Sequence, residues 1–218
     1  MVLYRMVCLL GLCVCIGMRA QTNEPPRNVV KVSGGLDFVT SKVYLPQNLY
    51  YGRKIMASSW RPGVSALVDY EHFWKSGWGF GLNVIYNDTR YSTEGHYIDL
   101  SETKRERIGI PMRSYYVGPS VAYSGCYKKR WRYEGACGLG YGHISGFLDD
   151  YSGIGSLLRV GMEYMITSHF GVGAELNELI IFTSDDSLDD FKEVYPSESN
   201  VTSGLSRLGI AAGVRFYF

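Results

Sequence analysis

The chain ends in the stretch GLSRLGIAAGVRFYF, residues 204–218. Read at every second position, one face of this stretch is apolar and consists of Leu208, Ile210, Ala212, Val214, Phe216 and Phe218. The other face carries arginine, glycine, alanine and tyrosine, from Arg207 to Tyr217. A repeat of two residues is the pattern of a β-strand with one apolar and one polar side. The end of the chain therefore predicts a strand that separates two environments.

Seven earlier stretches show the same alternation, which predicts an all-β fold of eight strands. They cover residues 30–40, 64–74, 78–86, 113–123, 131–143, 158–166 and 170–182. Leu67 and Phe73 fall on the polar face of the second stretch, and His72 falls on its apolar face. Pro119 lies inside the fourth stretch, where its missing N–H predicts a local irregularity in the sheet.

The connections between these stretches alternate between short and long. Residues 75–77, 124–130 and 167–169 form the short connections, and residues 41–61, 87–112, 144–155 and 183–203 form the long ones. Transmembrane β-barrels have this arrangement, with short turns on the periplasmic side and long loops outside. An even number of strands then places both ends of the barrel on the periplasmic side.

Aromatic residues lie at both ends of the predicted strands. Those near the short connections are Trp74, Trp78, Tyr123, Trp131, Phe170, Phe216 and Phe218, and those near the long ones are Tyr86, Tyr141 and Phe182. Two such bands are typical of residues at the two interfaces of a membrane. A soluble lipocalin-like barrel would also have eight alternating strands. The aromatic bands and the terminal phenylalanine favour the membrane barrel.

Composition agrees with this choice. The 218 residues contain 22 Lys and Arg against 21 Asp and Glu, so there is no basic excess of the kind that nucleic-acid binding requires. The mean hydropathy of −0.07 is too low for a helical membrane protein. It is consistent with a transmembrane barrel, whose strands are apolar on one side only.

The first twenty residues have the organisation of a secretory signal peptide. Arg5 supplies the positive start, residues 7–17 form a short apolar run, and the junction of Ala20 with Gln21 is a plausible cleavage site. We therefore predict a signal peptide over 1–20, a short periplasmic lead over 21–28, and a barrel over 29–218. Cys126 and Cys137 remain after cleavage, and their roughly 20 Å separation along the chain predicts two free thiols.

Taken together, these patterns resemble the small eight-stranded outer-membrane barrels of Gram-negative bacteria, the group that includes the transmembrane domain of outer membrane protein A. The resemblance implies a single closed antiparallel transmembrane barrel in the outer membrane. It implies contact with outer-membrane lipid and lipopolysaccharide, and a monomeric state. It also implies that Phe216 and Phe218 form the assembly signal read by the barrel-insertion machinery.

The polar faces of the strands carry charges of both signs. The predicted lumen residues are Asp37, Asp69, Glu71, Glu134, Glu163, Glu175, Arg132, Arg159, Arg207 and Arg215, together with Lys31. An eight-stranded barrel is just wide enough for side chains to fill it. Because a buried charge is costly unless it is paired, the near balance of charge predicts ion pairs that plug the lumen. The function we favour is a structural or surface-interaction role through the external loops, and a small porin is an alternative.

A catalytic function is the first alternative, and the small porin is the second. His143 and Ser145 resemble the His-x-Ser pair of the outer-membrane lipid A deacylase, and they lie at the external end of the fifth stretch. The residues that follow, Gly146 and Phe147, depart from that enzyme's pattern, and only Asp149 or Asp150 offers a nearby acid. Because a two-residue match arises easily by chance, we interpret His143 as an interfacial histidine and Ser145 as the start of a loop.

The last long connection is strongly acidic. Residues 183–203 contain Asp185, Asp186, Asp189, Asp190, Glu193 and Glu198 against Lys192 alone. Carboxylates could hold a divalent cation there, but the spacing is not that of a calcium-binding EF-hand loop. We favour a solvated loop. No motif in the chain indicates a cofactor, and we predict no cofactor or metal ion.

Overall fold

The structure is a computed structural model that describes residues 27–40, 43–44, 56–57, 62–98, 103–127, 130–145, 150–183 and 204–218. The predicted signal peptide and the acidic connection from residue 184 onward lie outside the described residues. The strands are β1 (Asn28–Val39), β2 (Val43–Tyr44), β3 (Met56–Ala57), β4 (Pro62–Phe73), β5 (Trp78–Ile98), β6 (Thr103–Tyr127), β7 (Trp131–Ser145), β8 (Asp150–Met165), β9 (Phe170–Thr183) and β10 (Gly204–Tyr217).

Eight of these strands form a closed antiparallel barrel in the order β1-β10-β9-β8-β7-β6-β5-β4, and β2 pairs with β3 separately. Following paired residues once around the barrel from Pro62 of β4 leads back to β4 at His72. The stagger of the closed sheet, its shear number, is therefore ten residues. A stagger of this size tilts the strands by about 40° from the barrel axis, within the range of closed barrels. The predicted eight-stranded barrel is confirmed. Among the described residues there is no helix with the length and apolar character needed to cross a membrane.

The strand faces point as the alternation predicts. On β4, Val64 and Val68 are exposed on the outer wall, whereas Ser65 and Asp69, the residues that follow them, are buried in the lumen. Leu67 and Phe73, the two apolar residues on the polar face, are also inside, each 1% exposed. The outer wall is thus apolar and the lumen mostly polar, which is the reverse of a soluble barrel and suits a lipid environment.

Two aromatic bands border this outer wall. At the periplasmic end the rings pack in pairs, with centroid distances of 5.2 Å for Trp78 with Tyr123 and 5.3 Å for Phe170 with Phe216. At the external end Tyr86 and Tyr115 lie 5.1 Å apart. These pairs are register neighbours on adjacent strands, so the pairing of strands itself assembles the bands.

The short connection between β4 and β5 is a tight turn. The N–H of Trp74 donates to the carbonyl of Trp78 at 2.8 Å, and Gly77 donates back to Trp74 at 3.0 Å. Gly77 has φ of 83°, and a Cβ there would lie 2.6 Å from the carbonyl oxygen of Ser124. Only glycine satisfies both conditions without strain.

Two of the four predicted long loops are wrong. The segment 87–112 is mostly strand, because β5 runs to Ile98 and β6 begins at Thr103. The segment 144–155 is also largely strand, because β7 runs to Ser145 and β8 already begins at Asp150. The prediction recognised strands by their apolar face, and a strand needs such a face only where its outer side contacts lipid. Beyond the membrane, a strand can continue with polar residues on both sides.

The irregularity expected at Pro119 takes the form of a gap in one ladder. β6 pairs with β7 at Val117 and again at Ser120 in the same register, and no pair joins Gly118 or Pro119 to β7. On the other side, Pro119 keeps its register with Leu82 of β5. At the gap the two backbones are close, since a Cβ on Gly118 would lie 2.6 Å from the Cα of Gly140. The proline therefore interrupts hydrogen bonding without shifting the strand.

Candidate functional site

The lumen holds all ten predicted charged residues and Lys31. Each lies on the inward series of its strand, and all are buried except Glu134, whose side chain is 12% exposed. Five cations thus face six carboxylates in a confined space. They form three groups along the barrel axis, which we call the central cluster, the periplasmic cluster and the external pair.

The central cluster consists of Lys31, Asp69, Glu71, Glu134 and Arg159. The Nζ of Lys31 lies 2.5 Å from the Oε2 of Glu71 and also contacts Glu134. Arg159 contacts Asp69 and Glu71 through its two terminal nitrogens, and its Nη2 lies 3.1 Å from Glu134. The two cations therefore bridge the same pair of glutamates.

This cluster crosses the barrel. Lys31 comes from β1, and Asp69 and Glu71 come from the adjacent β4, whereas Glu134 and Arg159 come from β7 and β8. Lys31 and Glu134 come from β1 and β7, and Arg159 and Glu71 come from β8 and β4; in each case three strands separate the two in the closed barrel order. The ion pairs consequently join opposite walls across the lumen. Asn83 of β5 supports the cluster by donating to Asp69 at 2.7 Å.

The periplasmic cluster consists of Arg132, Glu163, Glu175, Arg215 and Tyr217. Arg215 donates to Glu175 at 2.7 Å, and the Nε of Arg132 lies 3.3 Å from Glu163. The hydroxyl of Tyr217 donates to Glu163, and the guanidinium of Arg132 lies 4.8 Å from the centre of the Tyr217 ring. The last inward residue of β10 is thereby tied to β7 and β8.

The external pair is Asp37 with Arg207. Thr89 joins it, because the Nη1 of Arg207 lies 2.5 Å from the Thr89 hydroxyl while also contacting Asp37. All three residues are at most 2% exposed. A charge pair removed from water in this way is stable only when both partners remain in place.

Buried apolar side chains pack inside the barrel in two groups. At the periplasmic end Val29, Phe73, Ala122 and Ala136 pack with Tyr217. Toward the external end a larger group fills the barrel: Val39, Leu67, Ile85, Met112, Tyr116, Ile144, Leu157, Leu179, Ile181, Leu205 and Ala211. Most of its members continue the inward series of strands whose central parts are polar.

Thr89, Tyr217 and Ser152 are not among the predicted site residues; the first two contact lumen charges, and Ser152 contacts His143. Thr89 was placed in a loop, although it continues the inward series of β5 by two-residue steps from Asn83. Tyr217 was recognised as inward but not as a partner of Glu163. Nothing in the sequence indicated a role for Ser152, because it lies in the connection 144–155, which was predicted to be a loop. These residues were missed either because a strand is longer than predicted or because the partner is distant in sequence.

His143 and Ser145 do not form a hydrogen-bonded pair among the described contacts. The Nδ1 of His143 lies 2.9 Å from the hydroxyl of Ser152, which also lies 2.7 Å from the Tyr141 hydroxyl. Ser145 is instead the register neighbour of Arg113 on β6 and Asp150 on β8. The structure therefore links His143 to β8 rather than to the second residue of the His-x-Ser sequence.

Phe216 and Phe218 lie on the outer wall at the seam where the barrel closes. They are 47% and 65% exposed. The N–H of Phe218 donates to the carbonyl of Asn28 at 3.0 Å, and Asn28 donates back at 3.2 Å. The terminal residue is thus hydrogen-bonded to the first barrel strand.

Cys126 and Cys137 are both free, as predicted. Within the described ranges no three His, Cys, Asp or Glu side chains are arranged to hold a metal ion. Of the predicted acidic connection only Thr183 is described, so the proposed cation contacts there lie outside the described residues.

Comparison with known proteins agrees with this architecture. Neisserial surface protein A is similar at 16% identity and a TM-score of 0.55, covering 88% of this chain and 97% of its own. OprG, an outer membrane protein of Pseudomonas aeruginosa, is similar at 12% identity and a TM-score of 0.51, covering 91% and 99%. No curated protein matches the sequence.

The sequence pattern of a family described as "Outer membrane protein beta-barrel domain" matches residues 6–216, nearly the whole chain. With the closed eight-stranded barrel, its apolar outer wall and its aromatic bands, this match defines the family and the location. The protein belongs to the outer membrane protein beta-barrel domain family and resides in the Gram-negative outer membrane.

Proposed function

We propose that this protein is a plugged barrel, which anchors external segments in the outer membrane and interacts with its surroundings through them. The observation that carries the proposal is the central cluster, in which Arg159 and Lys31 join carboxylates of opposite walls. Side chains held by several ion pairs cannot move aside singly. Removing one partner from such a buried group costs about 3–5 kcal/mol.

The apolar groups at both ends of the lumen support the same function. An ion crossing the barrel would leave water at the Phe73 level, disrupt the charged clusters and pass the side chains packed around Leu67 and Ile181. Each of these steps requires desolvation or the loss of a paired charge. We therefore favour an anchor over a small porin.

Conductance of the purified barrel in a planar lipid bilayer tests this proposal. We expect the current to stay at the baseline of the protein-free membrane at 1 M KCl over ±100 mV. Gel mobility of the same sample, boiled and unboiled, shows that the inserted protein is folded. Large and stable single-channel currents from folded protein would show an open lumen and would support the small porin instead.

A lipid A-modifying enzyme is the second candidate, because His143, Ser152 and Tyr141 form a hydrogen-bonded group at the external end of the wall. A base and a hydroxyl within hydrogen-bonding distance are the minimum for nucleophilic catalysis. However, no carboxylate is hydrogen-bonded to His143 in the described part of the chain. We propose that the group is interfacial rather than catalytic.

Lipid A mass spectrometry separates the two functions. Cells producing the wild type, His143→Ala, Ser145→Ala or Ser152→Ala should all give the same distribution of lipid A masses. A deacylated species that is present with the wild type and lost with His143→Ala would establish an enzyme. Loss with Ser152→Ala or with Ser145→Ala would then identify the nucleophile.

We further propose that the protein is a monomer that is inserted by the barrel-assembly machinery through its C-terminal strand. The exposed aromatic residues Phe216 and Phe218 at the β1–β10 seam support this role. The surrounding partners are the outer-membrane lipids and lipopolysaccharide, which contact the apolar wall and the external segments.

A further inference from the structure

A polar group interrupts the apolar outer wall at its periplasmic end, where β1 lies beside β4. It consists of Asn28, Tyr70 and His72, and Asn28 and His72 are register partners. The group belongs to the periplasmic aromatic band, because the ring of His72 lies 6.3 Å from that of Trp74. Aromatic bands mark the level of the lipid head groups. The polar group therefore faces phospholipid head groups, and neither anchoring nor lumen closure accounts for it.

Asn28 is fixed in place by both neighbouring strands. On the β10 side its N–H donates to the carbonyl of Phe218 at 3.2 Å, and the N–H of Phe218 donates back at 3.0 Å. On the β4 side its Oδ1 accepts a hydrogen bond from the hydroxyl of Tyr70 at 3.1 Å and lies 2.8 Å from the Nδ1 of His72. The side chains of Asn28 and His72 are therefore held side by side before any ligand arrives, which lowers the cost of binding.

These contacts determine which atoms remain available for a ligand. A carboxamide oxygen only accepts, so the Nδ1 of His72 carries the proton that it donates, and the Nε2 of the neutral ring is an acceptor. Both side-chain bonds of Asn28 fall on its oxygen, and its amide nitrogen keeps two N–H groups that bond to no described residue. The pair thus presents a donor and an acceptor next to each other on the outer wall.

A phospholipid head group matches this arrangement. Its phosphate accepts hydrogen bonds, and in ethanolamine and glycerol head groups an ammonium or hydroxyl donor follows the phosphate ester. The amide N–H groups of Asn28 suit the phosphate, and the Nε2 of His72 suits the donor. Arg27, the residue before Asn28, is exposed and adds a positive charge at the same end of the barrel. In the described part of the chain no Asp or Glu lies opposite Asn28 or His72 in the register.

We propose that Asn28 and His72 form a binding site for the head group of a phospholipid in the periplasmic leaflet. The phosphate accepts from the amide of Asn28, and the ammonium or hydroxyl group of the same head group donates to the Nε2 of His72. This inference goes beyond the proposed function, because it assigns a lipid preference to the end of the barrel opposite the external segments. A head group bound there would contact β1 and β4 at once, next to the β1–β10 seam.

Quenching of Trp74 fluorescence by brominated lipids tests the proposal, with the protein in dodecyl maltoside, a detergent without phosphate. Replacing Trp60, Trp78 and Trp131 by Phe leaves Trp74 as the single reporter beside His72. Phosphatidylethanolamine and phosphatidylcholine with the same brominated chains differ only by three methyl groups, which remove the head-group donor. At pH 8 we expect saturable quenching by both lipids. Phosphatidylethanolamine should bind about tenfold more tightly, because it adds a hydrogen bond from a charged group.

Two variants separate the roles of the two residues. His72→Phe keeps a ring next to Trp74 and removes the acceptor, so both lipids should bind it with equal affinity. Asn28→Asp keeps an oxygen for His72 and Tyr70 but replaces the amide donor, and it should weaken phosphatidylcholine binding about tenfold. His169→Phe is the matched control, because it removes an exposed histidine from another periplasmic turn, and it should retain the wild-type preference.

Equal binding of the two lipids by the wild type would overturn the proposal, as would an unchanged preference in His72→Phe or an unchanged affinity in Asn28→Asp. Saturable quenching by brominated diacylglycerol, which has the same chains without a phosphate, would also overturn it. Gel mobility before and after boiling shows that each variant is folded. None of these results bears on lumen closure, which conductance decides separately.

Discussion

At the scale of single residues, the charge of Arg159 connects β8 to β4 and β7 through ion pairs in the lumen. It is the ion-pair partner of Asp69, Glu71 and Glu134, and its side chain is 1% exposed. In an Arg159→Met variant Asp69 would lose its contact with the guanidinium group, whereas Glu71 and Glu134 would keep their contacts with Lys31. We expect the free energy of unfolding to fall by about 3–5 kcal/mol, measured by urea unfolding in lipid vesicles.

Arg113→Met provides the comparison, because it breaks an ion pair with Asp88 that is largely exposed. It should cost less than about 1 kcal/mol. Equal losses in the two variants would mean that the central cluster contributes no more than a surface pair.

Tyr217 makes a second prediction at this scale. Its hydroxyl is buried and donates to Glu163, so Tyr217→Phe removes a hydrogen bond to a charged group without creating a large cavity. The expected loss of unfolding free energy is about 1.5–3 kcal/mol. Tyr141→Phe removes the exposed hydrogen bond to Ser152 and should change stability much less. A neutral Tyr217→Phe variant would show that the tyrosine merely fills space.

At the scale of the element, β10 is both the closing strand and the proposed assembly signal. Phe218→Asp should lower the amount of protein in the outer membrane more than Phe182→Asp, which makes the same change in an outward aromatic at the external end of β9. If recognition is the cause, purified Phe218→Asp protein should refold into detergent about as well as Phe182→Asp. Normal outer-membrane levels of the Phe218→Asp protein would contradict the signal role.

At the scale of the whole molecule, closure of the barrel pairs every neighbouring strand and leaves no edge. A barrel with all its strands paired resists detergent until it is heated. Unboiled protein should therefore migrate differently from boiled protein on a denaturing gel, and the Arg113→Met variant should retain this difference. Identical mobility before and after boiling would contradict a closed membrane barrel.

The sequence by itself determined the number of strands, their faces and the membrane that surrounds them. Alternation needs only neighbouring residues, and the apolar wall, the aromatic bands and the inward position of Asp69 or Arg207 all follow from it. The alternation of apolar and polar residues ended at the membrane surface, because a strand surrounded by water does not need an apolar face. The outer part of the β5–β6 hairpin was for this reason predicted as a loop.

Only the tertiary structure decided which charges meet. Glu71 and Arg159 are 88 residues apart in the chain, and Asp37 and Arg207 are 170 apart. Balanced charge on the inward faces predicts pairing in general but not the partners, since these depend on the stagger that closes the sheet. The register of the β7–β8 hairpin placed His143 beside Ser152 rather than Ser145. Neighbours across a barrel are set by the register of all eight strands together, and no local stretch of sequence contains that information.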